Sequence, residues 1–321
     1  MPEPSPSGRR LSDAPASRIL VIKLGALGDF IQALGPCAAI RRHHPQARIT
    51  LLTTAPFQSL AEASPYFDEV WIDRRPRLAD PFAVLALRRR LRAGRFDLVY
   101  DLQTSDRSGF YFRLMGPGPR PDWSGIVSGC SLPHANPDRN RLHTVDRQRD
   151  QLAMAGIAEV PATDLSWLTA DLAAWPLRAP LLLLVPGGSA HRPEKRWPAP
   201  YFGELARWAA ARGVQPVVLG GSSEAPLGKA IGATEPSTLD LTGKTGFAAL
   251  AALGRRATYA VGNDTGPMHI LAAAGCPATV LFSHASDPAL AAPRGRAVTL
   301  LRRARLADLS AAEVEETVKL G

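Results

Sequence analysis

Hydrophobic positions along this chain fall into short apolar runs separated by amphipathic stretches, starting at residues 18–24 (Arg-Ile-Leu-Val-Ile-Lys-Leu). A near-continuous apolar run of that length is the pattern of a parallel strand buried on both faces. A Gly-containing turn from Gly25 to Asp29 follows, and the periodicity predicts a helix over about 30–43. Further strands are predicted at 48–53, 69–72 and 96–102, with helical stretches at 55–63 and 81–93 between them. The helix at 81–93 is rich in arginine, and its pattern assigns Leu85 and Leu91 to the buried face. Residues 116–140, rich in Gly, Pro, Asn and Asp, read as loop, and 141–155 as helix. The alternation resumes with strands predicted at 181–185, 215–219, 239–242, 259–261, 278–282 and 298–301. Helices are predicted at 201–212 and 246–254, then from Pro267, and at 313–320 with Ser310 as a cap.

Strand and helix alternating twice over predict two doubly wound α/β domains in tandem. The expected divisions are a leader at 1–17, a first Rossmann-like domain at 18–165, a linker at 166–179 and a second Rossmann-like domain at 180–321. The leader is rich in Pro, Ser and Arg without an apolar core, so it reads as disordered rather than as a signal peptide. In such folds ligands bind at the carboxyl ends of the strands.

Composition narrows the function. Hydrophobic residues make up 45% of 321, enough for two cores, and no apolar run approaches a membrane span. Three scattered cysteines argue against a disulfide framework and a cysteine-based metal site, and for a reducing cytosol. The net charge of +9, carried mostly by arginine, points to anionic partners. Zinc-finger spacing and aromatic-studded basic ribbons are missing, so nucleic acid is not the expected one.

The richest stretch is 257–277, where a strand ends in Gly262-Asn263-Asp264-Thr265-Gly266 and a helix opens at Pro267. A helix N-terminus offers free N–H groups and partial positive charge to a phosphate, and Thr265 and His269 add hydrogen-bonding groups. The plainer reading makes Asp264 or Thr265 a helix cap. Asp29, at the lip of the first strand, has the chemistry of a general base for an attacking hydroxyl. Its spacing to Gln32 also fits a capping box. Ser189, Lys195 and Arg196 lie in Pro-Gly-Gly-Ser-Ala-His-Arg-Pro-Glu-Lys-Arg-Trp-Pro, where a cation and a hydroxyl can neutralise a leaving diphosphate without metal. An exposed basic loop is the alternative, and Trp197 reads as a packing anchor. Glu224, just past a strand, can accept from ribose hydroxyls or serve near a helix start. Lys23, Asp101, Gln103 and Arg107 end strands or open loops of the first domain, toward an acceptor by position. For Lys23 the alternative is a strand-end charge reaching solvent.

Asp264-Thr265-Gly266-Pro267-Met268-His269, Leu24-Gly25-Ala26-Leu27-Gly28-Asp29 and the Pro-Gly-Gly-Ser…Lys-Arg-Trp-Pro string resemble the signatures of glycosyltransferase family 9, the heptosyltransferases of lipopolysaccharide core assembly. The resemblance extends from Arg18 to about Leu320. It implies the GT-B architecture, two Rossmann-like domains facing across a cleft. It further implies an inverting, metal-independent transferase with ADP-heptose as donor, a lipopolysaccharide core as acceptor and no cofactor. Asp29 is implied as catalytic base. Ser189, Lys195, Glu224, Asp264, Thr265, Gly266 and His269 are implied on the donor side. The implied partners are a nucleotide-diphosphate sugar, an anionic glycolipid and peripherally a membrane surface, for an enzyme in the cytoplasm at the inner face of the inner membrane. One departure is Ser283-His284 where the family has Gly-Pro, near the expected position of the base. It leaves open another nucleotide sugar or acceptor. A nicotinamide-dependent oxidoreductase would need Gly-x-Gly-x-x-Gly, and Gly25 and Gly28 supply only Gly-x-x-Gly. A catalytically dead sugar-nucleotide binder is the remaining alternative.

Overall fold

The structure, a computed structural model, describes residues 16–77, 79–189 and 191–320. Most of the expected leader, residues 1–15, lies outside them. The chain divides into two compact units. Of the described residues, the first comprises 16–25, Gly35–Asn140 and Val145–Pro161, and the second Ala26–Leu34, Arg141–Thr144 and 162–320.

The first half of the chain runs β1 (Arg18–Ile22), α1 (Leu27–His43), β2 (Arg48–Thr53), α2 (Gln58–Ala63), β3 (Glu69–Ile72), α3 (Pro81–Ala93), β4 (Leu98–Asp101), α4 (Asp106–Leu114), β5 (Asp122–Gly125), β6 (Leu132–Pro133) and α5 (Thr144–Met154). Its six strands form one parallel sheet in the order β3-β2-β1-β4-β5-β6. β1 is central because every residue after Arg18 is apolar and buried, which only a strand flanked on both edges and covered on both faces allows. Trp71, Phe96, Phe112 and Trp123 fill the adjoining core in edge-to-face pairs. The unit boundary runs through α1, between Leu34 and Gly35, so the opening turns of that helix belong to the second unit.

The second half runs β7 (Leu181–Val185), α6 (Ala199–Ala210), β8 (Gln215–Val218), α7 (Ala225–Thr234), β9 (Leu239–Asp240), α8 (Phe247–Arg256), β10 (Tyr259–Asn263), α9 (Gly266–Ala273), β11 (Ala278–Phe282), α10 (Pro288–Ala291), β12 (Val298–Arg302) and α11 (Ala311–Glu315). The order β12-β11-β10-β7-β8-β9 repeats the first sheet's topology. β7 is fully buried, and Trp197, Phe202 and Leu205 pack beside it. Trp197 acts as the anchor its position implied. Its indole N–H donates to the Leu309 carbonyl at 2.8 Å, and its ring meets Phe202 edge-on.

The structure departs from the sequence-based expectation in instructive places. α1 starts at Leu27 rather than near residue 30, which moves Asp29 from a cap position into the first turn. Leu85 is 41% exposed while Leu91 is buried. Six residues at about 100° each put them on different faces of α3. The stretch expected as loop at 116–140 contains β5 and β6, whose two to four residues are too short to show a period. α4 is opened by reciprocal Ser105 and Ser108 bonds instead of the usual acidic partner, and α7 carries two glycines. Ser310 does cap α11, with Glu313 closing the box.

Candidate functional site

In each sheet the strand order reverses at one pair of neighbours, β1/β4 in the first and β7/β10 in the second, and the loops leaving such a pair diverge and open a crevice. In the second unit those loops are 186–189 after β7 and 264–265 after β10. Asn263, fully buried at the end of β10, ties them together. Its amide donates to the carbonyls of Pro186 at 2.8 Å and Gly187 at 3.1 Å, and its oxygen accepts from the Trp197 N–H at 2.9 Å. Three segments of the site thus hang on one side chain. Asn263→Ala is expected to lower stability by roughly 2–4 kcal/mol, because it strands three buried backbone groups. Chemical denaturation measures this, and a loss below about 0.5 kcal/mol would show that water replaces the amide.

A pocket of about 710 Å³ opens at this point, its lining drawn wholly from segments of the second unit. It gathers Asp29, Ser189, Lys195, Asp264, Thr265, Gly266 and His269, together with Arg192. The Lys195 ammonium lies 2.7 Å from the Asp264 carboxylate, and both side chains are nearly buried. An ammonium has three donors, so two remain for an incoming oxyanion. Thr265 stands at the N-cap of α9, yet neither it nor Asp264 makes a side-chain cap. Pro267 has no N–H and the Met268 N–H donates to the Thr265 carbonyl, so the helix presents the Gly266 N–H and its positive end to the pocket. Among the described residues the Ser189 and Thr265 hydroxyls and the Asp29 carboxylate have no hydrogen-bond or ion-pair partner.

The first turn of α1 carries Asp29. It is fixed by Gln32, whose amide donates to the Ala292 carbonyl at 2.9 Å, a carbonyl that His143 also reaches at 3.0 Å. Gln32 is thereby committed elsewhere and does not form the capping box with Asp29. Gly28 is glycine for a steric reason, since an added Cβ would stand 2.7 Å from Nε2 of His269. That close approach seats the imidazole against the α1 turn. Burial pushes the His269 ring down to about 4, against the opposing pull of Asp264 and Asp29. At neutral pH it is a neutral hydrogen-bonding group, and its buried Nδ1 has no partner among the described residues.

The remaining candidates lie apart from this pocket's lining. Glu224 closes a turn before α7, accepting from the Gly221 N–H at 2.8 Å and the Ser223 hydroxyl at 2.9 Å. It also touches the β7 loop, where a Cβ on Gly187 would meet its Cγ at 2.8 Å. Lys23 is buried, not solvent-reaching, and donates to the Leu102 carbonyl, while the Gln103 side chain accepts from the Leu24 N–H. Both knit the crossing of β1 and β4. Arg107 donates to the Pro76 carbonyl. The departing loop folds on itself, Ser283 accepting from the Ala285 N–H and His284 donating to the Ala304 carbonyl.

Asp101 is fully buried at the end of β4 and accepts from the N–H groups of Gln103 and Thr104. Burial nonetheless pushes its carboxyl up to about 6. Between the unfolded value near 4 and this one, the folded chain keeps a proton that the unfolded chain has released. Stability therefore falls as pH rises through that window. Asp101→Asn is expected to gain on wild type by roughly 2–3 kcal/mol between pH 4 and pH 8. Urea melts at the two pH values test this, and a constant difference would contradict it.

Sequence reasoning gave Asn263 and Arg192 no role and read Gln32 as a capping partner of Asp29, where the structure commits it to the Ala292 carbonyl. Asn263 carried a readable signal, an amide closing an otherwise apolar strand, whereas Arg192 was one arginine in a basic loop.

Comparison with known proteins adds three findings. Residues 84–319 match glycosyltransferase family 9 (heptosyltransferase). Lipooligosaccharide heptosyltransferase 2 of Haemophilus influenzae is 31% identical over 120 residues, 36% of this chain and 34% of that protein, so the chain spans about a third of that relative's length. Among solved structures, the glycosyl transferase family 9 protein of Veillonella parvula matches with a TM-score of 0.79 at 22% identity, covering 94% of this chain and 95% of that one. The E. coli ADP-heptose lps heptosyltransferase II matches with a TM-score of 0.74 at 22% identity, covering 94% and 97%. At these identities the structural likeness shows the fold, the two-sheet α/β arrangement of GT-B heptosyltransferases.

Proposed function

This chain belongs to glycosyltransferase family 9, the heptosyltransferases, and on that premise we propose that it moves a heptose from ADP-heptose to a lipopolysaccharide core acceptor, with inversion and without a metal. The observation that carries the reading is the Lys195–Asp264 pair at the uncapped start of α9, in one pocket with the unpartnered Asp29 carboxylate. The acceptor hydroxyl attacks the anomeric carbon as the bond from that carbon to the β-phosphate oxygen breaks. Its proton passes to Asp29, and the bonding electron pair leaves with ADP. Charge growing on the departing phosphate is met by Lys195, by the Gly266 N–H at the positive end of α9 and by the Ser189 and Thr265 hydroxyls. Arg192 supplies a second cation at the rim. Neutral His269 adds a hydrogen bond without adding charge. Glu224 holds the ribose side of the nucleotide.

The donor and acceptor follow the names of the relatives, the E. coli ADP-heptose lps heptosyltransferase and the lipooligosaccharide enzyme of H. influenzae. No helix among the described residues is long and apolar enough to cross a membrane. In this reading the enzyme works in the cytoplasm, reaching a glycolipid at the inner face of the inner membrane. The Ser283-His284 departure favours a second reading, a donor with another sugar or base. Calorimetric titration with ADP-heptose, a UDP-sugar and a GDP-sugar separates the two. Tightest binding of ADP-heptose is expected, and preference for either of the others would replace it as donor.

A further inference from the structure

The outward face of α3 is not explained by the chemistry above. Phe82 is 84% exposed, an unusual state for a phenylalanine, and Leu85 stands exposed on the next turn. Ala86 and Arg89 continue the same face in helical register. From Arg74 to Arg95 the sequence holds eight arginines against a single carboxylate, Asp80. That carboxylate is occupied as the N-cap of α3, accepting from the Ala83 N–H. Several of the arginines brace the local fold through carbonyls, Arg88 on Gly116 and Arg92 on Met115 and Pro117. Bonds to carbonyls leave the positive charge uncompensated. Arg74, Arg77 and Arg89 are exposed, and among the described residues their side chains make no hydrogen bond or ion pair. A groove of about 290 Å³ runs beside Arg74, floored by Ala83, Ala86 and Leu87 and rimmed by Arg74 and Arg90; its one carboxylate, Asp73, is buried and accepts from the Tyr111 hydroxyl.

An apolar tip ringed by unneutralised guanidinium groups is complementary to one kind of surface, hydrocarbon overlain by phosphate. We propose that α3 and the preceding loop dock this protein on an anionic membrane, with Phe82 and Leu85 entering the interface and Arg74, Arg77 and Arg89 meeting lipid phosphates. A glycan or nucleotide partner would use the arginines and leave Phe82 idle. A second protein copy would meet its own positive charge at this face. The docking does not depend on which sugar is transferred.

The test is co-sedimentation of the full chain with vesicles of phosphatidylcholine alone and of phosphatidylcholine mixed with phosphatidylglycerol. Binding is expected only to the mixed vesicles and should weaken as salt rises. Phe82→Ser with Leu85→Ser should lower the partition coefficient about tenfold or more. The triple variant Arg74→Gln, Arg77→Gln, Arg89→Gln should lower it about a hundredfold, near one kcal/mol per charge. All substitutions are on exposed side chains, and thermal melting by circular dichroism confirms that each variant is folded. Equal binding to both vesicle types, or variants that bind as wild type, would overturn the proposal. So would a concentration-dependent dimer in sedimentation velocity that Phe82→Ser abolishes.

Discussion

Asp29→Asn is expected to lower turnover about 10²- to 10⁴-fold, the range general-base removal produces, while donor affinity changes less than about threefold. Asp29 sits in the first turn of α1, and its carboxylate has no partner among the described residues. Gln32, three residues on, is drawn away to Ala292 instead of closing a capping box. A carboxylate kept for capping would be bound to backbone N–H groups, and this one faces a pocket with its lone pairs free. Asparagine keeps the shape and removes the basicity. Steady-state kinetics with ADP-heptose and a core acceptor read the loss in kcat, and calorimetry reads the retained affinity. A variant with kcat within a factor of two of wild type would remove Asp29 as the base. A variant that lost donor binding as well would recast it as a ligand of the sugar.

Lys195→Ala is expected to cost about 10²–10³ in kcat, as the loss of one group stabilising a developing anion does, and to weaken donor binding at least tenfold. Two effects add here. The leaving phosphate loses its closest cation, and Asp264, 2.7 Å from that ammonium, is left as an unpaired anion where a diphosphate must bind. Their separation is a double-variant cycle. Asp264→Asn added to Lys195→Ala should restore part of the donor affinity by removing the repulsion, while kcat stays low. If the second substitution restores nothing, the pair has no shared role at the phosphate.

Both sheets were legible in the sequence because β1 and β7 are apolar residue after residue, as only doubly covered strands are. The loop 264–265 was legible because Pro267 marks a helix start and glycine flanks it. What escaped was whatever depends on a partner distant in sequence. Leu85 matched the apolar pattern of α3 as well as Leu91 did, but it lies on another face and remains exposed. The start of α1 moved three residues because Leu27 and Gly28 carry no start signal, and Gly28 is explained only by the His269 ring above it. Asn263 and Gln32 take their meaning from carbonyls tens to hundreds of residues away. The depressed proton affinity of His269 comes from burial that no local pattern announces. Even the gathering of Asp29 with Lys195 and Asp264 rests on α1's opening turns belonging to the second unit rather than to the sheet that precedes them.

The account stands on Asp29 drawing the acceptor's proton while the Lys195–Asp264 end of the pocket receives the departing diphosphate. The measurement that bears on it most directly is the anomeric configuration of the product formed from ADP-heptose, followed by NMR in the presence of EDTA, for wild type and Asp29→Asn side by side. The account predicts a product of opposite anomeric configuration, formed by wild type at the same rate with and without chelator, and nearly none from the variant. Retained configuration, or full-rate transfer by Asp29→Asn, would contradict it.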